Sequence, residues 1–152
     1  MAKYDFLSEG VIEAPPMAVY KAILNEASGV THWWMPYCEF KLKGDMPIDR
    51  EGAIFDIIVH GAGSPKFSAK MVKIVEAKLI EEEYTGDFVG TGTWTFEPTD
   101  GKTKLQYRFN VRTNKLLYSL GSSFVNMEKM HSGMVQKGFK GLNSYLNQKS
   151  FC

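Results

Sequence analysis

The sequence predicts an α+β fold in which a broad antiparallel sheet is covered by one long C-terminal helix. Two observations carry this. Between residues 37 and 112, strand-like segments follow one another with apolar residues at alternate positions, and short turns join them, the arrangement of an antiparallel meander. From about residue 122 to 147 the period changes to three and four. Leu120, Phe124, Met127, His131, Met134, Gly138, Leu142 and Tyr145 then line one stripe, widened by Val135, Phe139 and Leu146. A helix carrying Gly133, Gly138 and Gly141 frays in isolation, so its stability must come from packing on something broad and apolar. A sheet with one apolar face is that surface.

Each element has its own signal. Tyr4, Phe6, Ser8, Gly10 and Ile12 alternate with Asp5, Leu7, Glu9, Val11 and Glu13 as a first strand, which Ala14-Pro15-Pro16 ends. Proline suits a first helical turn, and residues 17–25 follow with Val19, Tyr20, Ile23 and Leu24 on one side. A second short helix is expected from Ser28 or Thr31 to Trp34, stopped by Met35-Pro36. Six strands come next. Cys38, Phe40 and Leu42 mark the first. Residues 54–60 are apolar on both faces, which predicts a central strand. Residues 67–75 lose their alternation near Val72, as at a bulge. Residues 79–85 and 88–96 continue the sheet, the latter with Gly90 and Gly92, which predict a bend or a close backbone approach. Pro98-Thr99-Asp100-Gly101 is a hairpin turn. In residues 104–112, Leu105, Tyr107, Phe109 and Val111 face in, and Arg108 faces out. The terminal helix is capped by Ser122 or Ser123, or begins further back at Asn114.

The length of 152 residues suits one domain, 1–152, with a sizeable core. A net charge of +1 gives no field that would recruit nucleic acid or an anionic membrane. No stretch is long and apolar enough to span a bilayer, and the N-terminus does not read as a signal peptide. Cys38 and Cys152 form neither a metal spacing nor a disulfide framework, so a cytoplasmic protein is expected. Ten Phe, seven Tyr and eight Met are a generous supply for a cavity or for a core.

The order of elements resembles the START-like (SRPBCC) superfamily with the helix-grip fold, and within it the polyketide cyclase/dehydrase branch. The resemblance spans essentially the whole chain. It rests on Ile12-Glu13-Ala14-Pro15 leading to Val19-Tyr20, and on His32-Trp33-Trp34. Gly92-Thr93-Trp94-Thr95-Phe96 and the hairpin Asp100-Gly101-Lys102-Thr103 complete it. It implies a curved seven-stranded antiparallel sheet wrapped around the terminal helix, with two short helices between the first two strands. It also implies a cavity for an apolar or amphipathic small molecule. Members include ligand carriers, aromatases and cyclases, and the fold alone does not choose among them.

Trp33, Trp34, Tyr84, Trp94, Phe96, Tyr107 and Phe109 are the best candidates for lining that cavity, with Met127, Met130 and Met134 closing it from the helix; ordinary core packing is the plain alternative. His32, His60 and His131 lie on different elements without zinc spacing. His131 falls on the covered stripe, where it meets a ligand oxygen, carries a proton at neutral pH as a catalytic group, or hydrogen-bonds to backbone as a boundary residue. In Glu81-Glu82-Glu83 the face is open. If Ile80 and Tyr84 point inward, Glu82 is a desolvated carboxyl able to act as acid or base. If Leu79 does, the run is a wet strand that discourages edge pairing. Asp56 poses the same question on its own strand. Gly61-Ala62-Gly63 lacks the rest of a dinucleotide fingerprint and there is no phosphate loop, so neither cofactor nor metal is expected.

Three readings follow: a binder of a small hydrophobic or aromatic ligand, a cyclase, aromatase or dehydratase working in the same cavity, and a protein- or lipid-interaction module. Whether the chain is a monomer or a homodimer is left open.

Overall fold

The computed structural model describes residues 2–61, 63–113 and 127–149. The elements are β1 (Ala2–Ile12), α1 (Pro16–Ala27), β2 (Cys38–Lys43), β3 (Ile54–Val59), β4 (Lys66–Val75), β5 (Leu79–Gly86), β6 (Val89–Thr99), β7 (Lys102–Thr113) and α2 (Met127–Lys149). The predicted start of the terminal helix, with Leu120 and Phe124 of its stripe, lies outside the described residues.

All strand pairs are antiparallel in one seven-stranded sheet of order β1-β7-β6-β5-β4-β3-β2. β2 to β7 form the expected meander. β1 returns beside β7, pairing along its whole length from Ala2 with Thr113 to Ile12 with Thr103. The sheet buries one face, which carries Phe55 and Ile57 (β3), Phe67 and Met71 (β4), Ile80 and Tyr84 (β5), Trp94 and Phe96 (β6) and the odd-numbered residues 103–113 of β7. The bulge expected near Val72 is there: the β4–β5 register shifts between Met71 and Lys73, which keeps Met71 inward on one side and Ile74 on the other.

Two expectations change. β3 is not central; it sits next to the edge strand β2, and its outward Ile54 stays 39% exposed. Residues 33–37 form hydrogen-bonded turns in place of a second short helix, with Tyr37 and Cys38 both donating to the Trp34 carbonyl. Met35-Pro36 follows within one turn, and proline offers no N–H to continue a helix. The turn is fastened to α1: Glu26 is 2% exposed, and its carboxyl accepts hydrogen bonds from the Thr31 hydroxyl (2.7 Å), the Trp33 N–H (3.0 Å) and the Trp34 N–H (2.9 Å).

α2 lies on the sheet's buried face, with Val135, Phe139 and Leu142 fully covered. It also closes an edge. Gln136 donates to the Glu9 carbonyl (3.1 Å), and the Asn143 amide both donates to the Val11 carbonyl (3.2 Å) and accepts from the Glu13 N–H (2.8 Å). Side chains of the helix thus occupy backbone groups that β1, as an edge strand, leaves unpaired. Two glycines of α2 allow the 33–34 turn to approach. A Cβ at Gly138 would strike the Trp34 indole, and one at Gly141 the Trp33 carbonyl. The Trp34 indole N–H donates to the Met134 carbonyl (3.1 Å), and the Trp33 indole N–H to the Ala22 carbonyl (3.2 Å), so this turn joins both helices.

Candidate functional site

Between sheet and α2 is a partly open cavity of about 100 Å³. Three walls enclose it. The sheet gives Phe55, Ile57, Phe67, Glu82, Tyr84, Trp94, Tyr107 and Phe109. The helix gives Met127, Met130, His131, Met134 and Val135. The third wall is Ile23, Glu26 and Ala27 of α1 with Trp33 and Trp34. Of the residues nominated above, Trp33, Trp34, Tyr84, Trp94, Tyr107, Phe109, Met127, Met130, His131, Met134 and Glu82 all meet here.

Phe96 does not. It is buried beneath α1, edge-on to Tyr20 with ring centroids 5.8 Å apart, and serves as core. It shares its face with Trp94, but two residues further along β6 the sheet is covered by α1, and no space remains. Among the lining residues the sequence did not nominate are Glu26, Cys38, Phe40, Phe55, Phe67 and Phe88. Glu26 had a legible signal: Val19, Ile23 and Glu26 recur at helical spacing on a face that is otherwise apolar.

The face of β5 is resolved by burial. Ile80, Glu82 and Tyr84 point inward, Glu83 is exposed, and Glu82 is only 3% exposed. The wet-strand reading therefore fails for Glu82, which sits over the core beside Met71. The Tyr84 hydroxyl donates to Glu82 Oε1 (2.7 Å) and is 2.5 Å from the Tyr107 hydroxyl, so three polar groups form one buried chain. Gly92 makes room for it, since a Cβ there would fall on the Tyr84 hydroxyl. This is the close approach that glycine in β6 predicts. Burial pushes the Glu82 carboxyl up to about 7, opposed by hydrogen bonds from Tyr84 and Trp94. Burial, and after it the Glu82 charge, raise both tyrosines well above their ordinary range.

His131 faces this group from α2. Its ring stacks on Phe109 (4.6 Å) and Tyr107 (6.0 Å) and leans on Phe6 (5.2 Å). Its Nδ1 is buried with no hydrogen-bond partner among the described residues, so the backbone-bonded alternative does not describe it. Burial pulls the imidazole down to about 4, which makes it neutral near pH 7. Cys38 lies against Met134, sulfur to sulfur at 3.5 Å, and burial followed by the charge of Glu26 pushes its thiol up to about 12, too high for a thiolate nucleophile.

The remaining candidates are elsewhere. His32 is exposed, and His60 is an exposed partner of Glu39 at 3.4 Å. Asp56 faces outward, accepting from Ser68 (2.7 Å) and pairing with Lys43 (3.3 Å). Arg108 grips Asp5 with two hydrogen bonds on the outer face, as its alternation predicts. Among the described residues there is no cluster of His, Cys, Asp or Glu that could hold a metal. Nor is any described helix long and apolar enough to cross a membrane.

No family model and no curated protein sequence matches this chain. Its fold does match solved structures. The di-domain aromatase/cyclase StfQ from the steffimycin biosynthetic pathway superposes with a TM-score of 0.72 at 13% identity, over 99% of this chain and 52% of that one. Ara h 8.0201 gives 0.69 at 15% identity over 97% and 99% of the two chains. The Zhui aromatase/cyclase from Streptomyces sp. R1128 gives 0.64 at 13% identity over 98% and 96%. The chain has the helix-grip fold, a seven-stranded antiparallel sheet against a long C-terminal helix, as its sequence resemblance implied.

Proposed function

We propose that the chain is a one-domain binder of a small hydrophobic or aromatic molecule, lipid- or polyketide-like, held between the sheet and α2. The observation that carries this reading is a cavity with aromatic and methionine walls into which one compact polar cluster projects. Apolar walls supply affinity, and a few placed polar atoms supply orientation. The likeness in fold to solved aromatase/cyclases supports the same reading. The test is displacement of a neutral naphthylamine fluorophore, followed by native mass spectrometry of protein taken directly from its host. Saturable probe binding, weakened by Trp94→Ala, is the expected result. If apolar probes fail to bind and the purified protein carries no small molecule, the reading is wrong.

A second reading, catalysis of a cyclase, aromatase or dehydratase type, is favoured by one observation: a carboxyl poised near neutrality inside the cavity. The cavity would hold a flexible substrate in a reactive shape, and Glu82 would give or take a proton. Glu82→Gln should then lower turnover of a poly-β-ketone thioester by about a hundredfold or more. Product profiles that are the same with and without the protein would exclude it.

A further inference from the structure

The chain Glu82–Tyr84–Tyr107 has a direction, and its direction depends on one proton. Tyr84 lies in the middle, 2.7 Å from Glu82 Oε1 and 2.5 Å from the Tyr107 hydroxyl. All three residues line the cavity, Tyr107 is the end of the chain away from Glu82, and among the described residues Tyr84 is the only hydrogen-bond partner of the Tyr107 hydroxyl. When Glu82 is ionised it can only accept. Tyr84 then donates to Glu82 and Tyr107 donates to Tyr84. The Tyr107 oxygen is left facing the cavity as an acceptor. When Glu82 carries its proton on Oε1, the oxygen that faces Tyr84, the order reverses. Glu82 donates to Tyr84, Tyr84 donates to Tyr107, and the Tyr107 O–H is turned toward the cavity. The second state holds one proton more than the first, taken from solvent, and no covalent bond other than O–H changes.

We infer that this chain sets the chemical class of the ligand: an uncharged aromatic molecule bearing one oxygen at Tyr107, preferred as a phenolic or enolic hydroxyl when Glu82 is ionised and as a ketone when Glu82 is protonated. The inference rests on the ligand-binding reading above. Charge supports the word uncharged. Among the described residues no Lys or Arg lines the cavity, while two glutamates do, so a carboxylate ligand finds no cation there. The groups that face Glu82 from the packed elements are Tyr84 on β5, Tyr107 on β7, Cys38 on β2, Glu26 on α1 and His131 on α2, with the uncharged Trp94 on β6 and Met71 on β4. The tyrosines and the thiol titrate far above neutrality, His131 well below it, and Glu26 is engaged by three donors of the 31–34 turn. Glu82 is therefore the switch near pH 7.

The experiment compares naphthol, acetylnaphthalene and naphthalene by titration calorimetry or tryptophan quenching, from about pH 5.5 to about pH 8.5. A ketone can only accept, so it is left unpaired when Tyr107 presents an acceptor, whereas naphthol can donate to that acceptor; the ratio of naphthol to acetylnaphthalene affinity should therefore rise about tenfold across the range. Naphthalene affinity should stay flat. Glu82→Gln, which cannot titrate, should flatten the ratio, and Tyr107→Phe should bring both oxygenated probes toward naphthalene. If naphthalene binds and the wild-type ratio does not move with pH, the relay is wrong and the binding reading stands. If none of the three binds, both are wrong. The wild-type titration needs no variant to fold.

Discussion

Glu26 and Glu82 are both buried in the wall of the same cavity, and they do opposite things. Glu26 accepts from one hydroxyl and two backbone amides, all supplied by the turn it organises. Its carboxyl is satisfied from its own neighbourhood, and its consequence is shape: the Trp33–Trp34 corner is held against both helices. Among the described residues the Glu82 carboxyl has only a tyrosine hydroxyl and the Trp94 indole against full burial, and it rises to about 7. A buried carboxyl surrounded by its own donors is architecture; one short of donors, and joined to a chain that reaches a cavity, is available for chemistry.

The largest expected effect breaks the architectural side. Glu26→Ala leaves two tryptophan amides and a threonine hydroxyl without their acceptor and should destabilise the fold by about 2–4 kcal/mol. Chemical denaturation measures this, and tryptophan emission should shift red as the corner loosens. An unchanged midpoint would mean that the turn is held by its rings alone.

Next comes a contrast inside α2. Gly138→Ala drives a methyl into the Trp34 indole and should cost about 1–3 kcal/mol of stability. Gly133→Ala meets nothing within 4 Å and should instead gain up to about 1 kcal/mol from helix propensity. Equal signs in thermal melts of the two variants would contradict the packing of the turn on the helix.

The chemical side is sharpened by pH. Folding raises Glu82 from 4.5 to about 7, so its stabilising contribution is complete below about pH 4.5 and is lost as pH rises through 7. Folding lowers His131 from 6.5 to about 4, so its contribution is present above about pH 6.5 and is lost as pH falls through 4. Between about pH 4.5 and 6.5 the two slopes oppose each other. Glu82→Gln should uncover a stability that climbs with pH across that window, and His131→Asn one that declines, each by up to about 3 kcal/mol. A profile identical to wild type in both variants would show that neither group is desolvated.

The smallest effect is expected at Arg108→Ala. Its pair with Asp5 is short but lies in solvent, so stability and probe affinity should stay at wild-type values, with only a weak salt dependence lost.

Much of this was legible in the residues. The seven strands, the bulge at Val72, the outward Arg108 and the covering helix follow from periodicities of two and of three to four, which depend only on local backbone geometry. Glycines in β6 announced a close approach. They did not say that the visitor was the Tyr84 hydroxyl. Phe96 was misplaced because an inward side chain looks the same in sequence whether a helix or a cavity lies above it. The second helix is missing because Met35-Pro36 follows within one turn, and the hold of buried Glu26 on the 31–34 turn is a contact that local helix signals do not report.

The sequence by itself determined the order of the elements, the face of every clearly alternating strand and the stripe on α2, because each is written in neighbours a few positions apart. Only the tertiary structure decided that Glu82 turns inward, that it reaches Tyr107 through Tyr84, and that the Nδ1 of His131 has no partner among the described residues. Desolvation and hydrogen bonding depend on what the rest of the chain brings within a few ångströms. Glu81, Glu82 and Glu83 are one residue type three times over until the sheet chooses which of them to bury.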